Sequence, residues 1–132
     1  MKRNLFILLI VVLLAGALPI SVLAEDIYID IKPDDEDNLL TVNRKSALPV
    51  AIYYGEYEID LTSLTLNGIP AVEGVSFLRY DYVLVKFDSQ AVLATLGEVE
   101  DGDVFTLTLE GALIDGTPFE ATDSVTIRAR GN

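Results

Sequence analysis

Four consecutive carboxylates, Asp34-Asp35-Glu36-Asp37, form the densest group of chemically able side chains in this 132-residue sequence. A hard cation such as Ca²⁺ takes roughly six to eight oxygen ligands, and carboxylates from neighbouring loops can supply them. Glu56, Glu58 and Asp60 make a second acidic stretch, and Asp81 stands further on. Asp34, Asp35, Asp37, Glu56, Glu58 and Asp60 are therefore the candidate Ca²⁺ ligands, provided that the fold gathers their loops. A solvated acidic loop is the plainer alternative, because the run lacks the alternating spacing of a dedicated cation loop.

Tyrosine is the second feature. Tyr53, Tyr54 and Tyr57 surround one segment, and Tyr80 and Tyr82 flank another. Exposed aromatic rings stack on sugar faces and anchor protein interfaces. Tyr is also a good strand residue that packs half-buried. A glycan site needs at least two of these rings exposed and coplanar.

Composition removes other chemistry. The sequence has neither His nor Cys. A Cys nucleophile, a Ser–His pair and zinc or copper sites of the usual kind are excluded. General acid–base work would fall to paired carboxylates, as in glycoside hydrolysis. A working acid needs a partly apolar pocket to raise its pKa, whereas these acids sit among other acids. No enzymatic activity is expected, and no cofactor other than Ca²⁺.

The first 24 residues set the location. Met1-Lys2-Arg3 precedes an apolar run over residues 5–18, and Val22-Leu23-Ala24 precedes the acidic Glu25-Asp26. That is the layout of a signal helix with cleavage after Ala24, leaving one domain over residues 25–132. Left uncleaved, residues 5–24 become a marginal membrane anchor, near the roughly 20 residues that a span requires. Two of the nine Lys and Arg lie in this leader and all 21 Asp and Glu follow it, so the region after residue 24 carries a charge of −14. Nucleic acid is then an improbable partner.

Around the candidate residues the sequence is β-rich. Strands are expected at residues 27–31, 39–42, 48–54 and 63–66, then 75–79, 82–87, 104–110 and 125–127. Val83, Val85 and Phe87 share one face, as do Phe105, Leu107 and Leu109. Asn67-Gly68 and Asp115-Gly116 are hairpin-turn signals, and residues 89–96 form the one helical stretch, stopped by Gly97. The expected fold is all-β, an immunoglobulin-like antiparallel β-sandwich of seven to eight strands. A small barrel is the alternative. If every connection reverses direction, the loops with Asp34–Asp37, with Glu56, Glu58 and Asp60, and with Asp81 share one end with the tyrosines.

Ile29-Asp30-Ile31-Lys32-Pro33, Leu48-Pro49-Val50-Ala51-Ile52, Phe87-Asp88-Ser89-Gln90, Asp115-Gly116-Thr117-Pro118-Phe119-Glu120 and Thr122-Asp123-Ser124-Val125 follow one another in order. In these stretches the chain resembles an exported β-sandwich module of bacteria and archaea. That module opens with Ile-Asp-Ile-Lys-Pro-Gly and closes near an Asp-Gly-Thr-Pro turn. The resemblance implies a prokaryotic secreted or cell-surface module and no established activity. Many members carry an Asp-x-Asn-x-Asp-Gly loop where this chain has Phe77-Leu78-Arg79-Tyr80-Asp81-Tyr82. An inherited Ca²⁺ loop is not expected there. Asp34 also stands in place of the usual Gly.

The functional expectation is an exported, non-catalytic structural or interaction module, with protein or glycan partners. The alternative is a ligand-binding module for Ca²⁺ or a glycan at the acidic, tyrosine-rich loop end. Membrane contact is expected only through residues 5–24, if uncleaved.

Overall fold

Ile29 and Ile31 are buried, while Tyr28 is exposed and Asp30 half-buried. Period-two alternation thus puts one face of the first strand in the core. The structure is a computed structural model, and it describes residues 26–72, 77–78 and 82–129. The expected signal helix lies outside the described residues, as do Tyr80 and Asp81. In chain order the elements are β1 (Tyr28–Ile31), β2 (Leu39–Thr41), β3 (Leu48–Tyr53), β4 (Ile59–Leu66) and β5 (Ile69–Pro70). They are followed by β6 (Phe77–Leu78), β7 (Tyr82–Phe87), α1 (Ser89–Ala94), β8 (Val104–Leu113) and β9 (Pro118–Arg128).

The strands form two sheets, β1-β3-β7-β6 and β2-β9-β8-β4-β5. Those are the A-B-E-D and G-F-C orders of the immunoglobulin sandwich, with one short strand added at each side of the second. The core between them holds Leu48, Ile52, Phe87, Leu66, Leu107 and Leu109, all fully buried. Each such side chain contributes about 1.5–3 kcal/mol through removal from water. Val83, Val85 and Phe87 do share the buried face of β7, and Leu107 and Leu109 that of β8.

Two expectations are corrected. The sandwich is not wholly antiparallel: β2 pairs with β9 in parallel, Thr126 opposite Leu39 and Arg128 opposite Thr41. Nor does the chain reverse between β1 and β2. β1 runs toward the end where Leu48 pairs with Phe87. β2 finishes at that same end, where the Gln90 side chain donates to the carbonyls of Val42 and Arg44. One strand is therefore broken by residues 32–38 and carried from the first sheet to the second. Counting it as two reversing strands misplaced the loops that follow.

The two ends of the sandwich differ. The helix end carries the 42–47 turn, α1 and residues 95–103. Asp88 caps α1 by accepting from the N–H groups of Gln90 and Ala91 at 2.9 and 3.1 Å. The helix stops at Ala94, short of Leu96, because the amides of Thr95 and Leu96 turn back to Val92 and Leu93 before Gly97 at φ 76°. The tyrosine end carries the start of β1 and the turns at 54–58 and 114–117.

The strands β4, β8 and β9 extend beyond their expected limits, and β4 contains a wide bulge. Asp60 pairs with Ala112 and Thr65 with Glu110, so four residues of β4 oppose Gly111. Ser63 closes the gap: its hydroxyl accepts from the Ala112 N–H at 2.8 Å and donates to the Asp60 carbonyl at 2.6 Å. Leu64 lies over Gly111, where an added Cβ would stand 2.7 Å from Leu64 Cδ2 and 3.1 Å from Phe119 Cζ. Gly111→Ala is expected to destabilise the domain by about 1–3 kcal/mol through overpacking. Calorimetry tests this, and an unchanged or raised midpoint would show that the bulge has slack.

Candidate functional site

The break in the first strand is built from backbone needs. Lys32 and Asn38, at φ 52° and 50°, bracket it in the left-handed region. The Lys32 N–H bonds the Pro49 carbonyl at 2.8 Å, so the Ile31 N–H points away from β3. Asp123 receives it. Its Oδ2 accepts from Ile31 N at 2.9 Å and from Asn38 Nδ2 at 3.0 Å, and its Oδ1 accepts from Ser124 N at 2.9 Å. Asn38 Nδ2 also donates to the Ser124 carbonyl at 2.8 Å.

Asp35 organises the other half of the turn. Its Oδ2 accepts from Leu39 N at 3.0 Å and pairs with Lys32 Nζ at 3.1 Å, and its Oδ1 accepts from Asp37 N at 3.0 Å. Lys32 Nζ also donates to the Leu39 carbonyl. The N–H groups of Leu39 and Asp37, then Lys32, hold the Asp35 carboxyl below its ordinary pKa of 3.8. Asp35 is thus committed to the turn, whereas Asp34, Glu36 and Asp37 are exposed.

The six acidic candidates do not meet in one site. Asp34, Asp35 and Asp37 follow Ile31, which pairs with Val50. Glu56, Glu58 and Asp60 follow Tyr53, which pairs with Tyr28 at the other end of β1. Ile31 and Tyr28 lie three residues, about 10 Å, apart along the strand. The unreversed β1–β2 connection is the cause. Asp60 is used locally, accepting from Thr62 N at 3.0 Å and Thr62 Oγ1 at 2.6 Å, and both bonds lower its pKa. Glu56 and Glu58 are exposed. Among the described residues no group of three or more Asp or Glu is arranged to hold a metal ion.

One carboxylate, Asp30, is affected by its acidic neighbours. Burial, then the charges of Asp123 and Asp34, raise the Asp30 pKa above 3.8. Asp123 and Asn38 were not among the sequence candidates. A signal existed: along β9 the inward positions read Phe119, Ala121, Asp123, Val125 and Ile127, so one carboxylate occupies the core-facing register.

At the tyrosine end, Tyr28, Tyr53 and Tyr82 stand side by side in register on the outer face of the four-stranded sheet. The rings of Tyr28 and Tyr53 are 4.7 Å apart and within 7° of parallel, and those of Tyr53 and Tyr82 are 5.0 Å apart at 33°. Such pairs contribute about 0.5–1.5 kcal/mol each beyond their buried area. Because the rings stack on one another, they do not form a coplanar platform. Tyr28, on the edge strand and 55% exposed, is the most accessible of the three. It too was missing from the sequence candidates, since its neighbours came together only through strand register. Tyr54 and Tyr57 instead pack partly against the core. They line a cleft of about 260 Å³ with Ile59, Leu61, Val83 and Ile114. The Tyr57 hydroxyl donates to Asp26 Oδ2 at 3.2 Å, a bond that, with burial and the charges of Asp26 and Glu56, raises its pKa. The described residues of this end present aromatic and apolar contact area.

No family model matches the chain, and no curated protein does. Among solved structures, a bacterial immunoglobulin-like domain from the M. primoryensis ice-binding adhesin is similar, with 15% identity and a TM-score of 0.40. The likeness covers 79% of this chain and 95% of that one.

Two outcomes follow from the strand break. Asp123→Ala removes the acceptor of the Ile31 and Ser124 N–H groups and one of the two acceptors of the Asn38 amide, and is expected to lower stability by about 1–3 kcal/mol. A denaturation midpoint equal to that of the parent would overturn this role. Asp30→Asn acts in the other direction. The raised folded pKa means that ionised Asp30 opposes folding at neutral pH, and that the opposition fades as pH falls through the folded value. The variant should be more stable than the parent at pH 7 and gain nothing at pH 3, as measured by urea melts at both.

Proposed function

We propose that this chain is an exported, non-catalytic structural or interaction module that acts at or beyond the cell surface. Support comes from the pairing of an export-type leader with an immunoglobulin-like sandwich. The layout of Lys2-Arg3, the apolar residues 5–18 and Val22-Leu23-Ala24 is that of a cleaved secretory signal. The observation that carries the structural reading is the placement of the domain's two strand termini. β1 starts at the tyrosine end and β9 finishes at the helix end, where the Ala129 N–H bonds Asp101 Oδ1 at 2.9 Å. A module of that geometry has its first and last strands opening at opposite ends of the sandwich. The aromatic row on the outer face supplies contact area for a protein partner.

Among the described residues no helix is long and apolar enough to cross a membrane. On this proposal the leader is removed after Ala24, and the working domain is residues 25–132. Mass spectrometry of protein recovered from outside the cytoplasm should give Glu25 as the N-terminal residue. Recovery from the cytoplasm with Met1-Lys2-Arg3 intact would end the export reading. Recovery from membranes with residues 5–24 retained would replace cleavage by anchoring.

A further inference from the structure

We propose that the cleft at the tyrosine end docks an extended segment of another protein, one that carries a large apolar side chain next to Lys or Arg. This rests on the interaction reading given above and names the chemistry of the partner.

The apolar lining of the cleft comes from both sheets. Ile59 and Leu61 belong to β4 of the larger sheet, and Val83 to β7 of the smaller. Leu61 lies within the β4 bulge, and bulges re-aim side chains out of the regular register. Two turns complete the wall. Tyr57 closes its own turn by donating its N–H to the Tyr54 carbonyl at 2.9 Å, and the Ile114 N–H bonds the Glu58 carbonyl at 2.9 Å. The Tyr57 hydroxyl is held by Asp26. These bonds form the cleft before a partner arrives, which lowers the ordering cost of binding.

Size and charge choose the occupant. A volume of about 260 Å³ falls below the roughly 300–1,000 Å³ of pockets that engulf a small molecule, and suits one or two side chains from a chain lying across it. Ile114, 64% exposed at the rim, adds apolar area for such a chain. Asp26, Glu56, Glu58 and Asp115 are exposed around the cleft and the two shallower hollows beside it. Tyr57 borders all three, so apolar and charged contacts share it. Among the described residues no Lys or Arg lines any of them. A Lys or Arg beside the inserted side chain meets these carboxylates, whereas an acidic segment is repelled. A second copy, itself net acidic, meets the same repulsion.

Isothermal titration calorimetry tests this on protein recovered from cells that express the full 132-residue chain. The probes are the peptide Gly-Lys-Leu-Lys-Leu-Lys-Gly, a counterpart with Gln at each Lys, and another with Ser at each Leu. The first should bind most tightly at low salt, and added salt should weaken it. Ile114→Ser should weaken binding by about fivefold and leave its salt dependence unchanged. Glu56→Gln with Glu58→Gln should weaken it by about threefold to tenfold and flatten the salt dependence. Glu98→Gln with Glu100→Gln, the same change of charge on exposed residues at the helix end, should leave binding unaltered. Equal binding of either counterpart, or no heat from the first peptide at millimolar concentration, would overturn the proposal. Equal losses from the charge changes at the two ends would do the same, as would an Ile114→Ser variant that binds like the parent. A dimer in sedimentation that Ile114→Ser dissolves would give the cleft to a second copy and also overturn it. None of these results alters the N-terminal residue measured above, so the export reading stands or falls separately.

Discussion

One inward-facing carboxylate holds the architecture together. Asp123 stands at a core-facing position of β9, where the flanking inward residues are Ala121 and Val125. A lone carboxylate there would oppose folding unless its oxygens were bonded. Three donors, from Ile31, Asn38 and Ser124, satisfy it. In return it takes up the Ile31 N–H, which β3 cannot reach. The first strand can then leave one sheet and join the other without abandoning a backbone donor. The position of every later loop follows from that transfer.

The same transfer governs the sheet edges. An unbroken first strand would leave a long flat edge open to pairing with other chains. Here it is divided into β1, four residues, and β2, three residues, which border different sheets. The opposite edge of the larger sheet, β5, has two residues and ends in Pro70, which offers no N–H. The bulge in β4 breaks regular pairing again just inside that edge. With no disulfide to fix it, the domain limits its open edges by length and irregularity.

Much of the fold was legible because burial imposes a period of two. Val83, Val85 and Phe87 announced β7, and Asn67-Gly68 announced a turn in which both residues have positive φ, 51° and 84°. The direction of β2 was not legible. Residues 32–38 contain the Pro, Asp and Asn of an ordinary reversing turn, and only the long-range partner, Asp123, shows that the chain continues forward. The acidic candidates failed to gather for the same reason, since their proximity was inferred from alternating direction. The tyrosine row escaped because Tyr28 lies 25 residues from Tyr53 in sequence, and register alone makes them neighbours. Of the site, the sequence carried the tyrosine-rich end and the density of charge. It did not carry the Asp123 contacts, whose sign was a period-two position filled by Asp.

The charge pattern limits what the tyrosine end can meet. Asp26, Glu56, Glu58 and Asp115 surround it, and the pocket wall between them holds Gly55 and Tyr57. Of the described basic residues, Lys32 sits at the strand break in an ion pair, while Arg44 and Lys45 lie in the turn at the helix end. Arg128 and Lys86 lie near that same end, Lys86 paired with Pro49 and Arg128 with Thr41. Two copies approaching tyrosine end to tyrosine end would bring like charges together at short range, where screening is weakest. An anionic lipid surface meets the same repulsion. Apolar contact through Tyr28 and Ile114, 55% and 64% exposed, is therefore open chiefly to a neutral or basic surface. Stacked aromatic rings give that end its apolar area, and the surrounding carboxylates give it its negative charge.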